Sequence, residues 1–176
     1  IFGSSSPAEG SEEYVLAVDL GRNLARAGYK ICNGGYGGIM AASAKGAKEE
    51  DGLVIGFSPA ASEEAHLKSY KLPVDYHDVL VYTGFDYTGR NLLLTRSVDA
   101  LVIICGRIGT LNEFTLAFEN RKPIGVLLGT GGTADMIEEI VKKSHRGPGP
   151  IVYDTDPKAL LEKLLELTGK MKAEYE

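Results

Sequence analysis

The run Ala100-Leu101-Val102-Ile103-Ile104 gives a strand no polar residue to turn toward water on either face. Such a strand is stable only when both of its faces are covered. Related apolar runs recur at Leu53–Phe57, Asp78–Tyr82, Pro123–Leu128 and Ile151–Tyr153, with amphipathic segments of helical spacing between them. Buried strands that alternate with helices specify a parallel sheet with helices on both faces. The expectation is an α/β chain with a doubly wound parallel sheet, forming one domain over residues 1–176.

Local signals set the element boundaries. Ile1-Phe2-Gly3 reads as the end of a strand whose start precedes Ile1, and a helix is expected from about Ser11 to Ala27, stopped by Gly28. Tyr29–Cys32 is the second strand, and an alanine-rich helix runs from Ile39 toward Glu50. Residues 58–76 lack a strong period and read as a surface loop with a helical turn. Further helices are expected from about Gly89 to Ser97 and after Gly109. Asp156-Pro157 opens the last helix, with Asp as N-cap and Pro at the first helical position.

Composition narrows the function classes. The formal charge is −5, with 24% charged residues and no basic stripe, which argues against a nucleic-acid partner. No apolar run approaches the roughly 20 residues of a membrane span, so no membrane partner is expected. No signal peptide is visible. Cys32 and Cys105 are too few and too far apart for a disulfide framework, which suits a reduced, cytoplasmic setting. His66, His77 and His145 lack ligand spacing, so neither a metal nor a resident cofactor is expected.

In sheets of this type ligands lie beyond the carboxyl ends of the strands. That rule brings four loops to one edge. Ser4-Ser5-Ser6 follows Gly3 and offers hydroxyls. Gly34-Gly35-Tyr36-Gly37-Gly38 either lets backbone approach a phosphate or is a tight strand-to-helix connection; it lacks the Lys-Ser/Thr pair of a P-loop. Thr88-Gly89-Arg90-Asn91 carries an arginine that either clamps an anion through its planar fork or makes a surface ion pair. Cys105-Gly106-Arg107-Ile108-Gly109-Thr110-Leu111-Asn112-Glu113 turns from the buried strand into a helix. Its free amides and dipole attract an anion, with Glu113 one turn beyond Thr110, although both residues also fit plain helix capping. Cys105 is either a small buried residue or a thiol near a helix start.

Phe2-Gly3-Ser4-Ser5-Ser6, Gly34-Gly35-Tyr36-Gly37-Gly38-Ile39-Met40, Arg90 and Gly109-Thr110-Leu111-Asn112-Glu113 occur in this order in the LOG (LONELY GUY) family, once labelled "possible lysine decarboxylase". The chain resembles that family over nearly its whole length, and Gly89-Arg90-Asn91 is similar to the branch of molybdenum cofactor carrier proteins. The resemblance implies a Rossmann-like fold, a homodimer or higher homo-oligomer, and a phosphoribohydrolase. Such an enzyme cleaves the N-glycosidic bond of an AMP-like nucleoside 5′-monophosphate to free base and ribose 5-phosphate. Glu113 and Arg90 would then be catalytic. Gly3, Ser4, Ser5, Gly34, Gly35, Gly37, Gly38, Gly106, Arg107, Gly109 and Thr110 would hold the phosphorylated ligand. Arg90 is expected to tune or depress the Glu113 pKa. Phe114, Leu116 and Phe118 stand either at the subunit contact or in the core. Cys105 and Arg107 replace a proline and a glycine of the family motif. That departure keeps a non-catalytic carrier or sensor of a nucleotide or molybdopterin-like ligand open beside the hydrolase. No lysine stands in a pyridoxal-phosphate setting, so a lysine decarboxylase is not expected.

Overall fold

A computed structural model describes residues 1–173. Among these residues seven strands and six α-helices follow one another, in alternation except between β3 and β4: β1 Phe2–Gly3, α1 Glu12–Arg26, β2 Ile31–Asn33, α2 Ile39–Lys48, β3 Val54–Ser58, β4 Val79–Tyr82, α3 Asp86–Ser97, β5 Leu101–Ile104, α4 Ile108–Glu119, β6 Ile124–Leu127, α5 Gly132–Lys143, β7 Ile151–Asp154 and α6 Pro157–Ala173. Every strand pairing is parallel. The ladders run β4-β3-β2 and β1-β5-β6-β7. At the seam the Ile1 amine donates to the Cys32 carbonyl at 2.7 Å, which sets β1 beside β2. The chain therefore winds outward from β1 in one direction and then, through β5, in the other. The crevice beyond the carboxyl ends of β1 and β5 is the reversal point where ligands bind in such sheets.

Period-2 alternation divides the apolar strands between two cores. Val102 and Ile104 face a cluster with Ala17, Leu20 and Leu24 of α1, Ile39 and Ala44 of α2, and Leu160 and Leu164 of α6. Leu101 and Ile103 face Leu94 of α3, Phe114 and Ala117 of α4, and Ala134 and Ile137 of α5. Helices thus cover both faces, as the uninterrupted apolar runs require. Phe114 belongs to this core, Phe118 packs against it, and Leu116 is half-buried.

Two glycines bring α1 and α2 together. A Cβ at Gly21 would lie 2.0 Å from the Ser43 carbonyl oxygen, and one at Gly46 would lie 1.9 Å from that of Val18. Capping follows the sequence at both ends of the chain. Ser11 Oγ accepts from the Tyr14 amide at 3.3 Å, and Asp156 Oδ1 accepts from the Ala159 amide at 2.8 Å. Two starts differ from expectation. Helix α3 begins at Asp86 rather than Gly89, and α4 begins at Ile108 with Arg107 as its N-cap. Within the loop after β3, residues Ala65–Ser69 form a π-helical turn. His66 staples it in place: Nδ1 pairs with Ser58 Oγ at 2.8 Å and Nε2 with the Pro73 carbonyl at 2.9 Å. Both Ser58 and His66 are fully buried, so this pair is structural and out of reach of any substrate.

Candidate functional site

The turn after β5 is the most constrained piece of backbone at the crevice. Cys105 takes a left-handed φ of 47°, which costs a non-glycine residue about 1 kcal/mol. A loop that sequence reasoning did not single out compensates for it. Thr130 Oγ1 accepts from the Cys105 amide at 2.8 Å, the Ala134 and Thr133 amides donate to the carbonyls of Cys105 and Gly106, and Thr133 Oγ1 donates to the Arg107 carbonyl. Asp135 in turn accepts from the amides of Gly129 and Gly131. Gly129-Thr130-Gly131-Gly132-Thr133 was a legible signal, a second glycine-rich turn after a buried strand. These amides are engaged within the protein, so the loop is a prop for the Cys105–Arg107 turn.

The start of α4 contrasts with it. Among the described residues, the amides of Ile108 and Gly109 have no protein acceptor. Thr110 is not the cap: it is the third helical residue, and its Oγ1 accepts from the Arg107 amide at 3.4 Å. Arg107 itself has an extended backbone (φ −125°) that any residue adopts, and its side chain is exposed. The arginine at this position therefore adds charge at the mouth without straining the turn.

Arg90 lies inside α3 and is only 4% exposed. Its fork is largely engaged by the protein. Nη1 donates to the carbonyls of Gly34 (2.7 Å) and Phe57 (3.1 Å), Nε to Asn91 Oδ1 (3.0 Å), and Nη2 to the Tyr36 hydroxyl (3.3 Å). The guanidinium carbon sits 4.9 Å from the Tyr36 ring centroid. Gly34 makes room for this, because a Cβ there would lie 2.2 Å from Nη1. With five N–H groups and four protein contacts, Arg90 has one N–H left. Its Nη2 stands 4.0 Å from Glu113 Oε1.

Glu113 is 7% exposed and has no hydrogen-bond partner among the described residues. Burial raises its pKa from the ordinary 4.5 to about 7, against the opposing pull of Arg90. This corrects the expectation of a depressed value. An ion pair at 4.0 Å without a hydrogen bond does not offset the desolvation of the carboxylate. Asn91 Nδ2 donates to Asn112 Oδ1 at 3.0 Å, tying the helix that carries Arg90 to the one that carries Glu113.

These groups enclose one hollow of about 160 Å³. Gly3, Ser4, Ser5, Gly34, Arg90, Arg107, Gly109, Thr110 and Glu113 all line it, joined by Phe2, Tyr36, Met40, Tyr87 and Asn91. Four of the glycines expected there do not line it. The Gly35 amide turns away to Asn33 Oδ1 (2.8 Å). Gly38, at φ 62°, packs against Ser4 and Ser5, where a Cβ would meet the Ser4 carbonyl oxygen at 2.6 Å. Gly106, at φ 109°, lies against the Thr110 side chain, and Gly37 is likewise outside the lining. The hollow is smaller than the roughly 300 Å³ at the low end for small-molecule pockets, so it encloses only part of a ligand. Sequence reasoning missed Tyr36 and Tyr87 as lining residues, although Tyr36 sits inside the glycine loop and Tyr87 lies one turn before Arg90. No helix among the described residues is long and apolar enough to cross a membrane.

A model of the SLOG cluster4 family matches residues 1–161. An uncharacterized protein of Archaeoglobus fulgidus is 34% identical over 116 residues, covering 66% of this chain and 71% of that protein. A cytokinin riboside 5′-monophosphate phosphoribohydrolase of Rhodococcoides fascians is 29% identical over 119 residues, covering 65% of this chain and 56% of the enzyme. The match thus spans little more than half of that enzyme's length. Among solved structures, the molybdenum cofactor carrier protein of Chlamydomonas reinhardtii superposes with a TM-score of 0.70 at 29% identity, covering 94% of both chains.

Proposed function

The chain belongs to the SLOG cluster4 family, and from that premise we propose that it is a phosphoribohydrolase acting on nucleoside 5′-monophosphates. The observation that carries this reading is a buried carboxyl group without hydrogen bonds, lining the same hollow as a helix start with free amides one turn before it. The 5′-phosphate binds the amides of Ile108 and Gly109, with Thr110, Ser4, Ser5 and the exposed Arg107 around it. Glu113 lies four residues beyond Gly109 along α4, about 6 Å down the axis, which is the direction and scale of the step from phosphate to sugar.

There Glu113 acts in its ionised form. The bond between the sugar's anomeric carbon and the base nitrogen breaks, its electron pair leaves with the base, and the carboxylate stabilises the developing oxocarbenium charge. Water then adds to the anomeric carbon, its proton passing to Glu113 and from there to the departing base. Arg90 is a positioning residue that fixes Gly34 and directs its remaining N–H toward the carboxylate. The site works in a homodimer. Phe85 just before α3 and Leu92 and Leu93 on it are 65%, 40% and 40% exposed, and Ile108 is 81% exposed at the start of α4. A partner subunit over these apolar side chains would enlarge a hollow that encloses only part of a nucleotide.

One observation favours a second reading. The similarity to a molybdenum cofactor carrier spans 94% of both chains, whereas the match to the hydrolase covers 56% of that enzyme. In that case the same anion site would carry a molybdopterin-like phosphate without cleavage. Incubating the protein with AMP and separating the products chromatographically distinguishes the two. The hydrolase reading expects adenine and ribose 5-phosphate in equal amounts from the unmodified protein and none from Glu113→Gln. AMP that binds but stays intact overturns hydrolysis and favours the carrier. AMP that neither binds nor reacts overturns the nucleotide site.

A further inference from the structure

The hollow has two chemically different ends. At one are the amides of α4, Ser4, Ser5, Thr110 and Arg107; at the other are Tyr36 and Tyr87. The Tyr36 and Tyr87 rings are near-parallel, 29° apart with centroids at 6.0 Å. Tyr87 occupies the same face of α3 as Arg90 and Asn91, three and four residues on, so it stands at the rim above them. It is 51% exposed, and Tyr70 packs edge-on against it at 5.8 Å. One side of Tyr36 is taken by the Arg90 guanidinium. Contacts therefore run from Glu113 to Arg90, from Arg90 to Tyr36, and from Tyr36 to Tyr87.

We infer that Tyr36 and Tyr87 form a subsite for a planar heterocycle, on which the base of the ligand stacks while its phosphate lies at the start of α4. The inference rests on reading the hollow as a nucleotide site and assigns the end of the ligand that reading leaves open. The order of groups along the hollow is anion donors, carboxylate, arginine and aromatic pair, which matches phosphate, sugar and base in a nucleotide. Preference follows from the surface: the half-exposed Tyr87 ring, backed by Tyr36, favours a flat, polarizable ring over an aliphatic group of equal size. Stacking on aromatic rings tolerates any base, so the subsite selects for a heterocycle without choosing among purines or pterins.

The test compares dissociation constants of AMP, adenosine and ribose 5-phosphate for the otherwise unmodified protein, Tyr87→Ala and Tyr87→Phe, all carrying Glu113→Gln so that AMP stays intact, by calorimetry. Tyr87→Ala is expected to weaken AMP and adenosine about tenfold and to leave ribose 5-phosphate unchanged. Tyr87→Phe, which keeps the ring, is expected to restore AMP binding. Unchanged AMP affinity in Tyr87→Ala, or equal losses for AMP and ribose 5-phosphate, overturns the subsite. Ribose 5-phosphate that binds as tightly as AMP to the otherwise unmodified protein also overturns it while leaving the phosphate site standing. Adenosine that binds as tightly as AMP and loses affinity in Tyr87→Ala supports the aromatic subsite and overturns the phosphate site instead.

Discussion

Replacing Glu113 by Gln tests the electrostatics of the site without any knowledge of its ligand. An unfolded glutamate releases its proton near 4.5, whereas native Glu113 keeps its proton until about 7. Between those values the native state holds one proton more than the unfolded state, so stability falls as pH rises. Above about 7 both states are ionised and the penalty is constant. At about 1.36 kcal/mol per unit, the full penalty is about 3 kcal/mol. Gln is close in shape and never ionises. Glu113→Gln should therefore match the unmodified protein at pH 4 and exceed it by up to about 3 kcal/mol at pH 8.5. For a chain of this length that difference moves the melting temperature by about 6–12 °C. Urea or thermal unfolding of both proteins across this range is the assay. Stability curves that stay parallel from pH 4 to 8.5 would refute the claim that Glu113 is desolvated and unpaired.

The remaining predictions concern ligand and rate. Because Glu113 works ionised, kcat/KM for AMP should climb as pH rises through about 7 and level off above it; a rate that falls over this interval would reverse its role. Gly34→Ala puts a Cβ 2.2 Å from Arg90 Nη1, so the guanidinium must leave the Gly34 and Phe57 carbonyls. It should cost about 1–3 kcal/mol in urea unfolding and weaken AMP binding. Arg107→Ala, at an exposed position with ordinary backbone, should leave stability within about 0.5 kcal/mol and weaken AMP about tenfold, measured by calorimetry.

The sheet was legible because its strands carry their own burial pattern. Leu101–Ile104 has apolar residues on both faces, and the alternation of Val102 with Ile103 assigns each to one of the two cores. The order of loops around the crevice followed from the topology rule, which is why Ser4, Gly34, Arg90 and Glu113 were brought to one hollow from four distant stretches. Other features depend on tertiary contacts that sequence spacing does not encode. The α3 start at Asp86 lacks a capping side chain: Phe85 precedes it and makes no cap hydrogen bond. Which glycines face the hollow depends on packing, since Gly38 is required by Ser4 and Ser5 and Gly106 by Thr110. The sign of the Glu113 shift was not readable either, because proximity of Arg90 and depth of burial act in opposite directions. The prop supplied by residues 129–135 exists only once β5 and β6 lie side by side.

The placement of the phosphate is the central claim, and a crystal structure of Glu113→Gln with AMP tests it directly. The expected result is a phosphate accepting hydrogen bonds from the amides of Ile108 and Gly109, with the anomeric carbon facing residue 113. AMP bound with its phosphate elsewhere, leaving those two amides in water, would contradict it.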